Sequence, residues 1–267
     1  MADEPGTPAP PPTVVVRPTP AALAAVAASW LAAALRTAIV RRGTATLALS
    51  GGSTPGLLFA ALAHEDVVWV SVHVLQVDER IAPDGDPDRN LTELQATLLE
   101  RVPLPPTNFH AMPVSGLLGS TPPSASTTST TSTTSTTSTT TAAAAAAAAA
   151  ADYSATIDRL CGGVIDVVHL GLGDDGHTAS LVPGDPVLDV TNRDVAVTGD
   201  YKGRSRMTLT YPVLDRAGAI LWLIAGSSKA SVVPRLVSHD LQIPAGRVRN
   251  ENAVVFADAA AAAQLSN

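Results

Sequence analysis

The segment Gly171-Leu172-Gly173-Asp174-Asp175-Gly176-His177-Thr178-Ala179-Ser180-Leu181 constrains this chain more than any other. It follows a short apolar run, residues 164–170, that reads as a buried strand. A strand that ends in a tight glycine turn and then presents polar side chains is how open α/β sheets build sites at strand carboxyl ends. His177 stands two residues after the carboxylate of Asp175. An imidazole takes and returns protons in neutral solution, and a nearby Asp can fix its tautomer. Gly171, Gly173 and Gly176 also spell a dinucleotide-binding fingerprint. Asp174 and Asp175 would then face a pyrophosphate and repel it, which argues against that use. Taken alone, the segment also fits a plain glycine turn with solvated carboxylates and an incidental histidine.

A second glycine-rich turn follows the predicted strand 46–49: Ser50-Gly51-Gly52-Ser53-Thr54-Pro55. Pro55 suits the first turn of a helix running on through Leu57, Leu58, Ala61 and Leu62. Ser53 or Thr54 is a candidate N-cap. Free backbone N–H groups at a helix N-terminus form an anion site. Gly51 and Gly56 have the spacing of a nucleotide-binding P-loop, but Leu57 stands where its lysine belongs. A sugar phosphate therefore fits better than a nucleoside triphosphate, and an ordinary strand–turn–helix link is the plain alternative.

Three further stretches carry charge. Gln76-Val77-Asp78-Glu79-Arg80 follows the apolar run 67–75 and offers a base beside a cation, although surface ion-pair clusters look the same. Turn residues fill 83–88, and Asn90 and Leu91 lead into a helix through Leu98 and Leu99. Arg206-Met207-Thr208-Leu209-Thr210 reads as a strand, with Lys202 and Arg204 upstream. The apolar strand 220–224 is followed by 225–230, which opens a helix and carries Lys229. A lysine at a helix start opposes the helix dipole unless an anion binds there. Lys202 and Lys229 are the only lysines, and either can also be a solvated surface residue.

Together these segments resemble the 6-phosphogluconolactonase family, in order and spacing, from about residue 21 to about residue 258. Asp175-Gly176-His177-Thr178-Ala179-Ser180-Leu181 is the specific part. Ser50–Pro55 is shared with a wider superfamily that includes glucosamine-6-phosphate deaminases. Those enzymes usually carry Asn-Glu-Pro after the Asp-Gly-His element, whereas Ser180-Leu181-Val182-Pro183-Gly184 follows here. The resemblance implies hydrolysis of a 6-phosphorylated sugar δ-lactone without metal or organic cofactor. It implies His177 as general base, Asp175 as its orienting partner and Arg80 as the cation for an oxyanion or product carboxylate. The phosphate-binding and substrate-binding set is then Ser50, Gly51, Gly52, Ser53, Thr54, Asp78, Arg206 and Lys229. Two alternatives stay open: a glucosamine-6-phosphate deaminase with Asp78 as base, and a sugar-phosphate sensor that binds without turnover.

Repeated strand–helix alternation over 267 residues predicts a single-domain α/β fold. The sheet is expected to be Rossmann-like, open and mostly parallel, flanked by helices. The domain is expected over 13–267, after a disordered segment 1–12, with a low-complexity Ser/Thr/Ala insertion at about 121–151. The Ser/Thr tract 124–141 reads as a disordered loop. A helix is expected to start within the alanines 142–151 and to dock through Tyr153, Ile157 and Leu160. A net charge of −7 argues against nucleic-acid binding. The single Cys161 suits a reducing compartment, and no zinc-like Cys/His spacing occurs. No apolar run reads as long enough to cross a membrane, and residues 1–12 do not read as a secretory signal. The expectation is a cytoplasmic monomer or weak dimer whose partner is a small sugar phosphate. His64, His73, His110, His169 and His239, like Trp30, Trp69 and Trp222, read as packing or element-end residues, and 183–199 as a lid or rim.

Overall fold

A computed structural model describes residues 11–118, 135–249 and 251–265. Seven strands form one wholly parallel sheet: β1 (Thr13–Arg17), β2 (Ala45–Leu49), β3 (Val72–Gln76), β5 (Phe109–His110), β6 (Val167–Leu170), β9 (Ile220–Ile224) and β10 (Ala253–Asp258). Their order is β1-β10-β9-β6-β2-β3-β5. The chain therefore reverses its winding beside β2 and β6, at the sheet centre. The two glycine turns leave the carboxyl ends of these two neighbouring strands, where open α/β sheets carry ligands.

Strand alternation sorts the core into two layers. On β2, Leu47 and Leu49 face one layer and Ala48 the other. The first layer packs under α1 (Pro20–Arg42) and α2 (Ser53–Leu62). The second packs under α4 (Ser135–Cys161), where Tyr153 and Ile157 are buried and Leu160 lies half-buried against the same cluster, as the periodicity predicts. The Tyr153 hydroxyl accepts from Gln76 N at 2.7 Å and donates towards the carbonyls of Gln76 and His110, each 3.1 Å away. That pins α4 to β3. Short helices α3 (Asn90–Leu94), α5 (Tyr211–Asp215) and α6 (Val233–Val237) complete the flanks.

The structure departs from the sequence reading in several places. Helix α1 is long and apolar enough to cross a membrane by length and composition, contrary to the expectation that no segment is. Its apolar face is core instead: Leu23, Leu31 and Leu35 are fully buried. The Thr19 hydroxyl accepts from Ala22 N at its start, and the Gly43 N–H donates to Ile39 O at its end. Helix α4 includes residues 135–141, inside the Ser/Thr tract. Alanines have the highest helix propensity, so a helix nucleated there extends backwards through residues of lower propensity at small cost. Residues 1–10 and 119–134, which hold most of the expected disordered segments, lie outside the described residues. Finally, a second sheet appears that sequence patterning did not separate from the first. β4 (Asp78–Arg80), β8 (Arg206–Leu209) and β7 (Val195–Val197) form an antiparallel sheet in the order β4-β8-β7. Val77 joins the sheets: its N–H donates to Leu49 O and its carbonyl accepts from Leu209 N. β7 fixes part of 183–199, the segment read as a lid.

Candidate active site

The two glycine turns and the small sheet enclose a cleft of about 220 Å³. Nine residues singled out from sequence line it: Ser50, Gly51, Gly52, Thr54, Asp78, Arg80, His177, Arg206 and Lys229. Of the other two, Asp175 hydrogen-bonds His177, and Ser53 opens α2.

His177 and Asp175 are set by their own turn. Gly173 N–H donates to His177 O at 2.8 Å, and Asp175 Oδ1 accepts the His177 N–H at 3.1 Å. The same carboxylate oxygen lies 2.5 Å from His177 Nδ1. With Nδ1–H donating, Nε2 keeps its lone pair on a ring that lines the cleft. A Cβ at position 173 would fall 2.1 Å from His177 Nδ1, so only glycine lets the strand end pass this close. Burial works to raise the Asp175 carboxyl. Hydrogen bonds from the His177 N–H and ring, and from Tyr201, outweigh it and hold the group below the usual carboxylate range.

Two of the three cleft cations come from the small sheet. Arg80 and Arg206 are direct cross-strand partners on β4 and β8. Among the described residues, Arg80 Nε, Arg206 Nε and Ser50 Oγ are buried polar atoms with no hydrogen-bond partner. A buried unpaired donor costs about 1–3 kcal/mol, more if charged, a cost that a ligand in the cleft would remove. Burial lowers the Arg206 guanidinium and neighbouring Arg80 adds to this, while Asp78 pulls the other way. Asp78 itself is buried, accepting from Ser180 Oγ at 2.6 Å and from Asn90 Nδ2 at 3.3 Å. Glu79 points away from the cleft and accepts from the N–H groups of Arg80, Asn90 and Leu91. Among the described residues, no three His, Cys, Asp or Glu side chains group as metal ligands would.

The anion loop differs in detail from expectation. Gly52, not Ser53 or Thr54, is the N-cap of α2, and no side chain caps it. The Gly52 N–H donates to Glu93 Oε2 at 3.1 Å, so one of the predicted anion donors is already engaged. Lys229 closes a single 3₁₀ turn, Ser227–Lys229, and does not start a helix, so the dipole argument made for it does not apply. It reaches the cleft because that turn leaves the end of β9.

Residues 18–256 match the family described as glucosamine-6-phosphate isomerases/6-phosphogluconolactonase. The chain belongs to that family. A 6-phosphogluconolactonase from Nostoc sp. is 33% identical over 264 residues, covering 95% of this chain and 98% of the relative. One from Streptomyces coelicolor is 34% identical, covering 95% of each chain. The solved structure of a 6-phosphogluconolactonase from Trypanosoma brucei superposes with a TM-score of 0.76 at 26% identity, covering 96% of this chain and 99% of the other.

Within this member of the isomerase/lactonase family, sequence reading passed over Asn90, which lines the cleft, and Tyr201. The Tyr201 hydroxyl donates to Asp175 Oδ2 at 3.2 Å. Asn90 reads in the sequence only as the start of a helix after the turn 83–88, and nothing there marks it for the cleft. Tyr201 left one: Lys202-Gly203 between two strand patterns is a two-residue hairpin, which places its flanking residues at a sheet end.

Proposed function

We propose that this chain hydrolyses 6-phospho-D-glucono-1,5-lactone to 6-phospho-D-gluconate. The observation that carries the reading is the pairing of a carboxylate-oriented imidazole, His177, with two facing guanidiniums whose Nε atoms lack partners. The names of its relatives agree with it.

His177 Nε2 takes a proton from a water as that water attacks C1. The carbonyl π electrons move to oxygen, and Arg80 stabilises the resulting oxyanion. Asp175 accepts Nδ1–H throughout and stabilises the imidazolium. The tetrahedral intermediate collapses, the bond from C1 to the ring oxygen breaks, and His177 returns the proton to that oxygen. General-base catalysis of this kind contributes about 10²–10⁴-fold. The 6-phosphate lies on the N–H groups at the start of α2, with Arg206 and Lys229 adding charge-assisted bonds. Ser50 and Asp78 line the same wall and orient the sugar.

A deaminase reading needs Asp78 as a free base. Here Ser180 and Asn90 hold its carboxylate, which favours the lactonase. The deciding experiment is proton release at pH 7 on adding freshly made 6-phosphogluconolactone to wild type and to His177→Ala. The expected result is fast release by wild type and loss of most of kcat in the variant, with modest change in KM. Release no faster than spontaneous hydrolysis overturns the lactonase. Ammonia from glucosamine 6-phosphate then supports the deaminase, and phosphosugar binding without turnover supports a sensor.

A further inference from the structure

The hairpin joining β7 to β8 brings an aromatic ring to the rim of the cleft. Tyr201 and Arg204 pair across its tip, with Tyr201 N–H donating to Arg204 O at 3.0 Å. Lys202 and Gly203 between them have φ of +56° and +82°. Two consecutive positive φ values make the tight turn whose twist matches the strands, and Gly203 accepts this without strain. Asp200 Oδ1 accepts the Gly203 N–H at 2.9 Å. Arg204 anchors the tip to the loop after β4, pairing with Asp86 at 3.0 Å and with Asp88 at 3.3 Å. The backbone carbonyl of that same Asp88 accepts from Arg80 Nη1. The tip is therefore tied to the segment that holds one of the two facing arginines.

From this anchored tip the half-buried Tyr201 touches three members of the site. Its hydroxyl donates to Asp175 Oδ2, the oxygen that His177 Nδ1 does not use. Its ring meets the His177 ring edge-on, with centroids 5.6 Å apart and planes at 63°. The Arg206 guanidinium lies over the same ring, 5.0 Å from its centroid. Exposed Lys202 takes a similar place at 5.1 Å.

We propose that Tyr201 is a positioning residue: it fixes the rotation of the Asp175 carboxylate, and so of His177, and gives Arg206 the shelf that aims it into the cleft. A carboxylate bonded through only one oxygen can rotate about Cβ–Cγ. A second bond, to the other oxygen, removes that freedom. A ring edge against the imidazole and a cation over the ring face both follow the aromatic quadrupole. The inference rests on the lactonase reading for its kinetic consequences, though not for its geometry.

The test compares Tyr201→Phe and Tyr201→Leu with wild type. Phe keeps the ring and loses the hydroxyl, while Leu loses both. One net hydrogen bond corresponds to about a twofold to tenfold change. Tyr201→Phe is expected to lower kcat by about that factor with KM unchanged. Tyr201→Leu should in addition raise KM about twofold to fivefold through Arg206. A second readout needs no turnover: the His177 Nδ1–H proton resonance, identified by its loss in His177→Ala, should move in Tyr201→Phe. Turnover by wild type, with kcat and resonance both unchanged in Tyr201→Phe, overturns the role of Tyr201 and leaves the lactonase standing. No turnover by wild type, with the resonance displaced in Tyr201→Phe, overturns the lactonase and supports the positioning role. An unmoved resonance overturns that role in either case.

Discussion

Arg80 and Arg206 stand directly opposite each other on antiparallel strands β4 and β8, each with a buried Nε that lacks a hydrogen-bond partner. Like charges at paired positions destabilise a sheet, a cost that a bound anion relieves. Arg206→Ala is expected to leave the thermal midpoint of the free protein unchanged or raised. KM for the phosphorylated lactone should rise about tenfold to a hundredfold, the worth of a charged hydrogen bond. Thermal unfolding with and without 6-phosphogluconate, run beside steady-state kinetics, checks both halves. A fall in the midpoint of the free protein would show that the pair stabilises the fold without ligand.

Gly173 does not have a positive φ, so Gly173→Ala tests close approach and not left-handed backbone strain. The added Cβ would lie 2.1 Å from His177 Nδ1 and 2.7 Å from Asp175 Oδ1. The variant is expected to fold, to keep KM within a few-fold and to lose about 10²-fold or more in kcat, as removal of the general base does. A kcat near wild type would mean that the dyad can move aside and still work.

His169 is fully buried on β6, with both ring nitrogens lacking partners and the Phe59 ring 6.0 Å away. Burial pushes its pKa down to about 3 from 6.5. Between these values the unfolded chain binds a proton that the native state refuses, so stability rises with pH across the window. Acidification from about pH 6.5 towards pH 3 should therefore lower the urea midpoint, and His169→Leu should flatten that slope. Equal slopes in the two proteins would assign the acid sensitivity elsewhere.

Tyr153→Phe removes the hydroxyl that receives the Gln76 N–H at 2.7 Å inside the core. A buried donor left without a partner costs about 1–3 kcal/mol, which denaturant unfolding resolves. Catalytic constants should be unaffected, since Tyr153 does not line the cleft. A loss of kcat matching the loss of stability would mean that α4 steers the site through β3.

The candidate site was legible in the sequence where its parts are local. Asp175 and His177 lie two positions apart on one glycine turn, and Ser50 to Thr54 lie on another. The strands that end in those turns are near-continuous apolar runs, broken only by Thr46 and His169, as strands covered on both faces tend to be. Period-2 and period-3.6 patterns and glycine punctuation therefore suffice for a parallel α/β sheet with a candidate site at the ends of β2 and β6. What depends on distant partners was decided by the tertiary structure. Sequence shows Asp78–Arg80 and Arg206–Leu209 only as charged strand fragments. Their antiparallel pairing, which sets Arg80 against Arg206 across more than a hundred residues of chain, exists only once Val77 bridges the two sheets. The engagement of Gly52 by Glu93, of Asp78 by Ser180 and of Asp175 by Tyr201 is of the same kind. Local propensity determines where a strand ends and a turn begins. Which buried charge meets which depends on packing and on the need to satisfy each buried polar group, and neither is a property of any one stretch of sequence.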